Sequence, residues 1–147
     1  MLTRDGPRLF EYNVRFGDPE AQVVLPRLTT DLAELLAAAA AGDLSRAPTP
    51  TFADDACVTV VLASEGYPVA PRTGDVITGI SDAEAEGATV FCAGVAAGPG
   101  RELLTAGGRV LAVTATGPSV AVARTRAYTA AEHISWPGLH HRTDIAE

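Results

Sequence analysis

The sequence predicts an α+β fold with mainly antiparallel strands, and three observations lead to this prediction. The strand-like segments of the second half are too short and too interrupted for a doubly wound parallel sheet. One long helix-like segment follows them, as expected for a helix packed on a small sheet. Apolar residues make up 47% and charged residues 20% of the 147 residues, which is the balance of a folded globular protein.

The first predicted elements are a strand and a short helix. Arg8–Val14 alternates between a mostly polar face and an apolar face, as a strand at a surface does. Asp18–Glu20 then predicts the start of a helix, because an aspartate can cap the first turn and a proline suits its first position. Pro26 should kink or end this helix soon after it begins.

A second helix is predicted over Thr30–Ala41. Thr29 or Thr30 can cap its start, and three leucines form one apolar stripe along it. Gly42 supplies the stop, because glycine readily adopts the left-handed conformation that ends many helices.

Leu44–Pro50 contains two prolines and no periodicity, which indicates a boundary between structural units. We therefore expect two domains, covering residues 1–46 and 47–147. In the second region, apolar runs, caps and glycine or proline positions predict strands, helices and turns. The predicted strands are Ala56–Ala63, Val76–Ile80, Thr89–Val95 and Arg109–Thr116. The predicted helices are Asp82–Glu86 and Ser119–Ile134, and the loops and turns are Tyr67–Thr73, Gly98–Gly100 and Gly107–Gly108.

Composition narrows the possible partners. The net charge of −7 argues against a nucleic-acid partner, because binding phosphates requires a basic surface. No apolar run approaches the roughly 20 residues of a membrane-spanning helix, and the first residues lack the pattern of an export signal. We therefore expect a cytoplasmic protein with no membrane partner. Cys57 and Cys92 lie far apart in apolar segments and are expected to be buried free thiols.

Three polar residues on the first predicted strand suggest chemistry. Glu11 and Asn13 lie on the same face, because side chains two residues apart in a strand point to the same side. Their oxygens are the hard donors that Mg²⁺ prefers, with nucleotide phosphates supplying further ligands. Arg15 continues this face and could bind phosphate or acyl-phosphate charge through bidentate hydrogen bonds. A half-exposed strand with solvated polar residues would show the same short pattern, so these residues alone leave both interpretations open.

A longer run of residues extends this pattern. Arg15-Phe16-Gly17-Asp18-Pro19-Glu20, followed by Gln22, resembles the signature of phosphoribosylamine–glycine ligases nearly residue for residue. The resemblance covers essentially the whole chain in order and spacing. Its other segments are Thr3–Pro7, Val23–Leu28, Val61–Ser64, Gly66–Pro68, Gly74–Gly79, Gly107–Thr114 and Arg142–Ile145. Glu65, Cys92 and Ala106 depart from the family's pattern, which puts in doubt any role of their loops in substrate contact.

The resemblance implies a reaction and a set of site residues. The family joins glycine to phosphoribosylamine in purine synthesis, using ATP to make a glycyl phosphate that the amine attacks. In ATP-grasp enzymes of this kind a Glu and an Asn at a strand end hold the metal, here Mg²⁺ or Mn²⁺, and by resemblance these are Glu11 and Asn13. Arg15 would be a catalytic residue that holds phosphate or the acyl phosphate, and Asp18 would contact the substrate.

The resemblance also implies which part of the enzyme is present. Residues 1–46 would be the last strand and helices of an ATP-grasp domain, and residues 47–147 would be the small C-terminal domain. The lysines and loops with which the family holds its nucleotide are missing from this sequence, which contains no lysine. We therefore expect this chain alone not to catalyse the ligation. The alternative is a non-catalytic binding or assembly module derived from the same domain. Apolar residues without their usual partner predict self-association or pairing with the missing ligase domains.

Overall fold

The computed structural model describes residues 1–12 and 14–147, and it confirms an α+β fold in which every strand pair described is antiparallel. The strands are β1 (Leu2–Thr3), β2 (Gly6–Pro7), β3 (Ala56–Ala63), β4 (Thr89–Cys92), β5 (Val95–Ala97), β6 (Leu103–Thr105) and β7 (Arg109–Gly117). The α-helices are α1 (Ala21–Val24), α2 (Leu32–Ala40), α3 (Ile80–Ala85) and α4 (Val120–Ala131), with 3₁₀ turns at Leu25–Arg27 and Leu44–Arg46.

The central sheet has three strands in the order β3-β7-β4. Strand β7 lies in the middle, and its residues Val110–Ala115 are all buried, as expected for a strand paired on both sides. Thr59 and Thr114 face each other across β3 and β7, and Thr114 Oγ1 donates a 2.7 Å hydrogen bond to Thr59 Oγ1. This bond satisfies two buried hydroxyl groups that would otherwise destabilise the sheet.

Helix α4 covers one face of this sheet. Side chains alternate along a strand, so Val58, Val60 and Leu62 of β3 share the face that packs in the core with α4. The helix contributes alanines to the core, which lets it lie close to the strands. The buried alanines are Ala123, Ala127, Ala130 and Ala131. Val120, the first residue of the helix, is half exposed.

The predicted strand over Arg8–Val14 is wrong for the residues described. Residues 8–12 and 14 belong to no strand or helix, and the pairing at this end is instead the two-residue hairpin of β1 with β2. Phe10, Tyr12 and Val14 are each at least 79% exposed. An apolar strand face gains its stability from the sheet and core that it packs against, and this chain supplies neither at that position.

The two N-terminal helices are present with shifted starts. Glu20, not Asp18, is the residue before α1, and no side chain caps this helix. Pro26 lies in the 3₁₀ turn that ends α1, as its missing N–H predicts. Asp31 caps α2 through a 2.7 Å hydrogen bond from Ala33 N to Asp31 Oδ1, so neither expected threonine is the cap. Gly42 has a positive φ of 71° and ends α2 as predicted.

In the second region, β3 matches its predicted bounds and β7 extends one residue beyond them. The predicted strand over Thr89–Val95 is two strands, because the chain turns at Ala93 and Gly94 between β4 and β5. Strand β6 was not predicted, since three residues are too few to show alternation. The expected helix near Asp82 begins two residues earlier, at Ile80.

The two thiols differ in burial from the prediction. Both cysteines are free, but Cys57 is half-buried and Cys92 is exposed at the end of β4. The last residues are irregular, as expected, and they are held against α4. Tyr128 Oη donates to the Arg142 carbonyl oxygen at 2.8 Å, and Arg124 Nε donates to the Ile145 carbonyl oxygen at 2.8 Å. Among the described residues, none of the helices has the length and apolar character of a membrane span.

The N-terminal region and the sheet are joined by a short stretch of pairing. Thr29 N donates to the Thr51 carbonyl oxygen at 2.9 Å, and Ala53 N donates to the Arg27 carbonyl oxygen at 2.7 Å. Helix α1 packs on β3 and β7. The segment that follows the proposed boundary at residue 46 therefore returns to contact the region that precedes it.

Candidate functional site

Three of the four residues singled out from the sequence lie in the segment between β2 and α1, which we call the corner. Glu11, Arg15 and Asp18 are all exposed there, and Asn13 lies outside the described residues. Arg15 Nη1 donates to the adjacent Phe16 carbonyl oxygen at 3.2 Å.

Asp18 is held at this corner by Arg109 and Gln22. Arg109 Nη2 donates to Asp18 Oδ2 at 3.1 Å, and Arg109 Nη1 donates to the Asp18 carbonyl oxygen at 3.1 Å. Gln22 Nε2 donates to the other carboxylate oxygen at 3.1 Å. Arg109 is the first residue of β7, so this arginine attaches the corner to the central strand of the sheet. Two parallel contacts from one guanidinium fix orientation as well as position.

The turn before α1 contains Gly17. The Glu20 carboxylate folds back over Gly17 so closely that a Cβ atom at Gly17 would overlap it. Any larger side chain would therefore displace either Glu20 or the turn. In the same turn, the Asp18 carboxylate pairs with Arg109.

A metal ion would find few ligands in this chain alone. Within residues 1–12 and 14–147, no three His, Cys, Asp or Glu residues cluster closely enough to hold an ion. Glu11 offers an exposed carboxylate, which is the hard donor that Mg²⁺ or Mn²⁺ accepts. Mg²⁺ commonly takes one or two protein carboxylates and completes its shell with phosphates and water. The donor chemistry therefore fits a metal that a nucleotide helps to hold.

A mainly apolar groove of about 540 Å³ lies beside this corner, between α1, β3 and the C-terminal residues. Its walls include Val23 and Val24 of α1, Cys57 and Val61 of β3, and Ile145. The thiol pKa of Cys57 is raised by burial in this groove, against a smaller lowering by the charge of Arg27. A raised thiol pKa disfavours the thiolate, which is the reactive form of cysteine.

Reasoning from the sequence missed Arg109 as the partner of Asp18. The signal was present in Gly107–Thr114, which resembles the ligase family, but the pairing joins residues 91 positions apart. Periodicity reports only neighbours along the chain, so it contains no information on this contact.

Comparisons with known proteins agree with these features. The family model described as phosphoribosylglycinamide synthetase, C domain, matches residues 57–147. Phosphoribosylamine–glycine ligase of Streptomyces coelicolor is 52% identical over 99% of this chain and 35% of its own length. The enzyme of the same name from Mesorhizobium japonicum is 48% identical over 99% of this chain and 34% of its own length.

A solved structure extends the comparison to the fold. The crystal structure of phosphoribosylamine–glycine ligase from Thermotoga maritima superposes with a TM-score of 0.83 at 36% identity. The matched region covers 98% of this chain and 34% of the Thermotoga maritima chain. The chain therefore spans about a third of the length of the relatives it matches. The fold, the matched family model and the relatives together show that this chain belongs to the phosphoribosylamine–glycine ligase family and contains its C domain.

Proposed function

We propose that this chain is part of an ATP-dependent ligase that joins glycine to 5-phosphoribosylamine, giving glycinamide ribonucleotide in purine synthesis. The observation that carries the proposal is 52% identity to the Streptomyces coelicolor ligase along 99% of the chain. The reaction is assigned to the complete enzyme, because this chain corresponds to about a third of it. In keeping with a biosynthetic role, we place the enzyme in the cytoplasm.

The proposed chemistry has two steps. The glycine carboxylate takes the terminal phosphoryl group of ATP, which gives ADP and an acyl phosphate. The amine of phosphoribosylamine then attacks the acyl carbon, phosphate leaves, and the nitrogen loses a proton. Both steps move negative charge onto phosphate oxygens, so positioned cations and hydrogen-bond donors supply much of the rate.

The corner residues are proposed to form one side of the active site of the complete enzyme. Glu11 and Asn13 are proposed ligands for Mg²⁺ or Mn²⁺, which would neutralise phosphate charge when bound. Arg15 is proposed to hold the phosphate or acyl phosphate, since its guanidinium is exposed and has one backbone contact. Asp18 is proposed to face the substrate side, with Arg109 holding its orientation. We further propose that residues 1–46 end an ATP-grasp domain and residues 47–147 form the C-terminal domain.

The test is a fusion that supplies the missing two-thirds. The part of the Streptomyces coelicolor ligase that precedes the matched region is joined to this chain, and glycinamide ribonucleotide and ADP formation are measured. The fusion should require all three substrates, and the chain alone should form no product. A fusion that folds and binds ATP but makes no product would favour the alternative, a non-catalytic binding or assembly module.

Substitution of Arg15 in that fusion tests the site assignment. Arg15→Ala should lower kcat by about 10²-fold, the usual effect of removing one charge-stabilising donor. Arg46→Ala is a matched control, because Arg46 is an exposed arginine outside the corner, and it should leave kcat unchanged. Equal kcat values for the two variants would remove Arg15 from the proposed machinery.

A further inference from the structure

Arg109 lies at the start of β7, and its guanidinium contacts Asp18 of the corner twice. One contact goes to the Asp18 carboxylate and the other to its backbone carbonyl oxygen, both at 3.1 Å. The two side chains are 41% and 47% exposed, and an exposed ion pair of this kind contributes little to stability. The pair is therefore better suited to orienting Asp18 than to holding the fold together.

The turn that precedes Arg109 is held by Ser64 and Tyr67. Ser64 is 1% exposed, its hydroxyl donates to the Gly107 carbonyl oxygen at 2.9 Å, and its N–H donates to the Gly108 carbonyl oxygen at 2.9 Å. A Cβ atom at Gly108 would overlap the Tyr67 ring, so this ring lies directly against the turn. The backbone from which Arg109 extends is thus fixed by contacts within the second region.

Asp18 keeps acceptor capacity for a ligand beside these contacts. An ionised carboxylate has about four lone-pair sites. Arg109 Nη2 uses one site on Oδ2, and Gln22 Nε2 uses one site on Oδ1. The exposed Asp18 side chain can therefore accept N–H groups from a bound molecule. Glycine and phosphoribosylamine each carry an amino group, whereas the triphosphate of ATP is an anion that a carboxylate repels.

We propose that Arg109 is a positioning residue for the ligation, which orients Asp18 so that its carboxylate binds the amino group of glycine or phosphoribosylamine. Through Arg109, the fixed Gly107–Gly108 turn of the second region sets the geometry of a group that binds substrate. Misplacing such a group by about 1 Å can cost about 10²-fold in rate. This inference rests on the proposed function, because it takes the two amino substrates from it.

The experiment measures steady-state kinetics of the fusion described above, with each of the three substrates varied in turn. Arg109→Gln keeps a polar side chain but removes the charge and the fork of N–H donors. It should raise KM for at least one of the two amino substrates about 10-fold or more, because the amino group loses an oriented acceptor. KM for ATP should change by less than about 2-fold. The amino substrate whose KM rises is the one that Asp18 binds.

Arg126→Gln is the matched control. Arg126 is also an exposed arginine with a backbone contact, since its Nη1 donates to the Thr116 carbonyl oxygen at 2.9 Å. Thr116 lies near the opposite end of β7 from Arg109, roughly 20 Å along the strand. All three KM values of this variant should equal those of the unmodified fusion.

A double-mutant cycle with Asp18→Asn tests whether Arg109 acts through Asp18. Asp18→Asn alone should raise the same KM, and adding Arg109→Gln to it should raise that KM by less than about 2-fold more. If the two effects multiply in full, Arg109 acts through another group and the inference fails.

Circular dichroism checks that each variant is folded. If Arg109→Gln does not fold, Arg109→Lys decides, because lysine keeps the charge but lacks the fork that makes both contacts, and the same KM should rise about 3-fold or more. In a folded Arg109 variant, unchanged KM values or equal rises for all three substrates would overturn the inference.

The same assay separates this inference from the proposed function. If the unmodified fusion makes product and the folded Arg109 variants keep normal KM values, the function stands and the inference alone fails. If the unmodified fusion folds but makes no product, the proposed function fails and the inference fails with it.

Discussion

The regions before and after the start of β3 differ in burial far more than in composition. Among the described residues none before Val58 is buried. The buried residues that form the core between α4 and the central sheet all lie from Val58 onward. Helix α2 is mostly alanine and leucine, yet it has no buried residue. Apolar composition therefore does not produce a core unless a second surface lies against it, and the first region presents apolar residues suited to such a surface.

The comparison predicts that core truncation is costly only in the second region. Leu62→Ala removes a side chain with no exposed surface and should lower the free energy of unfolding by about 2–5 kcal/mol. Leu36→Ala is the same substitution on α2 at a side chain that is 52% exposed, and its effect should stay within about 0.5 kcal/mol. Urea unfolding followed by circular dichroism measures both.

Similar losses for Leu62→Ala and Leu36→Ala would contradict the contrast between the regions. A large effect at Leu36 would mean that α2 packs in solution on a surface of this chain or of another copy. Light scattering at the protein concentration of the unfolding experiment distinguishes these two sources of packing.

Helix caps give a smaller test of the same difference. Ser119 Oγ accepts a hydrogen bond from Val122 N at 3.3 Å and caps α4, while Asp31 caps α2. Ser119→Ala should lower the free energy of global unfolding by about 1 kcal/mol, because α4 belongs to the core. Asp31→Ala should leave global unfolding nearly unchanged and speed hydrogen exchange only within α2. Equal shifts in global unfolding would show that α2 unfolds with the core.

The smallest expected effect concerns the exposed pair Arg142–Asp144. Arg142 Nε donates to Asp144 Oδ1 at 2.8 Å, and hydrogen bonding to Arg142 holds the pKa of the Asp144 carboxyl below its ordinary value of 3.8. A carboxyl with a lowered folded pKa contributes stability above its unfolded pKa, and this contribution disappears as pH falls through the folded value. The benefit of the pair is therefore present at neutral pH and fades below about pH 3.8.

Carboxyl titration followed by NMR tests this pair. Arg142→Gln should raise the Asp144 pKa toward 3.8, while the pKa of Asp43, which hydrogen bonding with Ser45 lowers, should not move. An unchanged Asp144 pKa in the variant would show that the pair does not form in solution. An exposed charge pair in the second region is therefore expected to contribute as little to the free energy of unfolding as the exposed side chains of α2.

The elements that could be predicted from the sequence are those whose packing partners are also in this chain. The buried run of β3 and the span of β7 were predicted closely, because their sequence pattern reflects contacts that this chain makes itself. Strand β6 and the true cap of α2 were missed for local reasons, since a three-residue strand has no measurable period and Asp31 lies beside two other plausible caps.

The corner could be located from the sequence, but its geometry could not. Arg8–Val14 has the alternation of a strand, and that pattern reflects a sheet that this chain does not supply. Asp18 was assigned to the substrate side without its partner, because Arg109 approaches it from a distant part of the chain. Residue patterns thus indicated that the corner matters, and the tertiary structure was needed to show that Arg109 binds Asp18 there. The roles of Glu11, Asn13, Arg15 and Asp18 remain predictions for the fusion enzyme to test.

The strand order also has a consequence for how the chain acquires its structure. Strand β3 lies at one edge of the central sheet, where β7 is its neighbouring strand, and the contact between Thr59 and Thr114 joins residues 55 positions apart. Contacts so distant along the chain slow folding, because a long loop must close before any of them forms. During synthesis β3 leaves the ribosome well before β7. Its apolar residues stay exposed in that interval, which exposes this strand to aggregation until β7 is made.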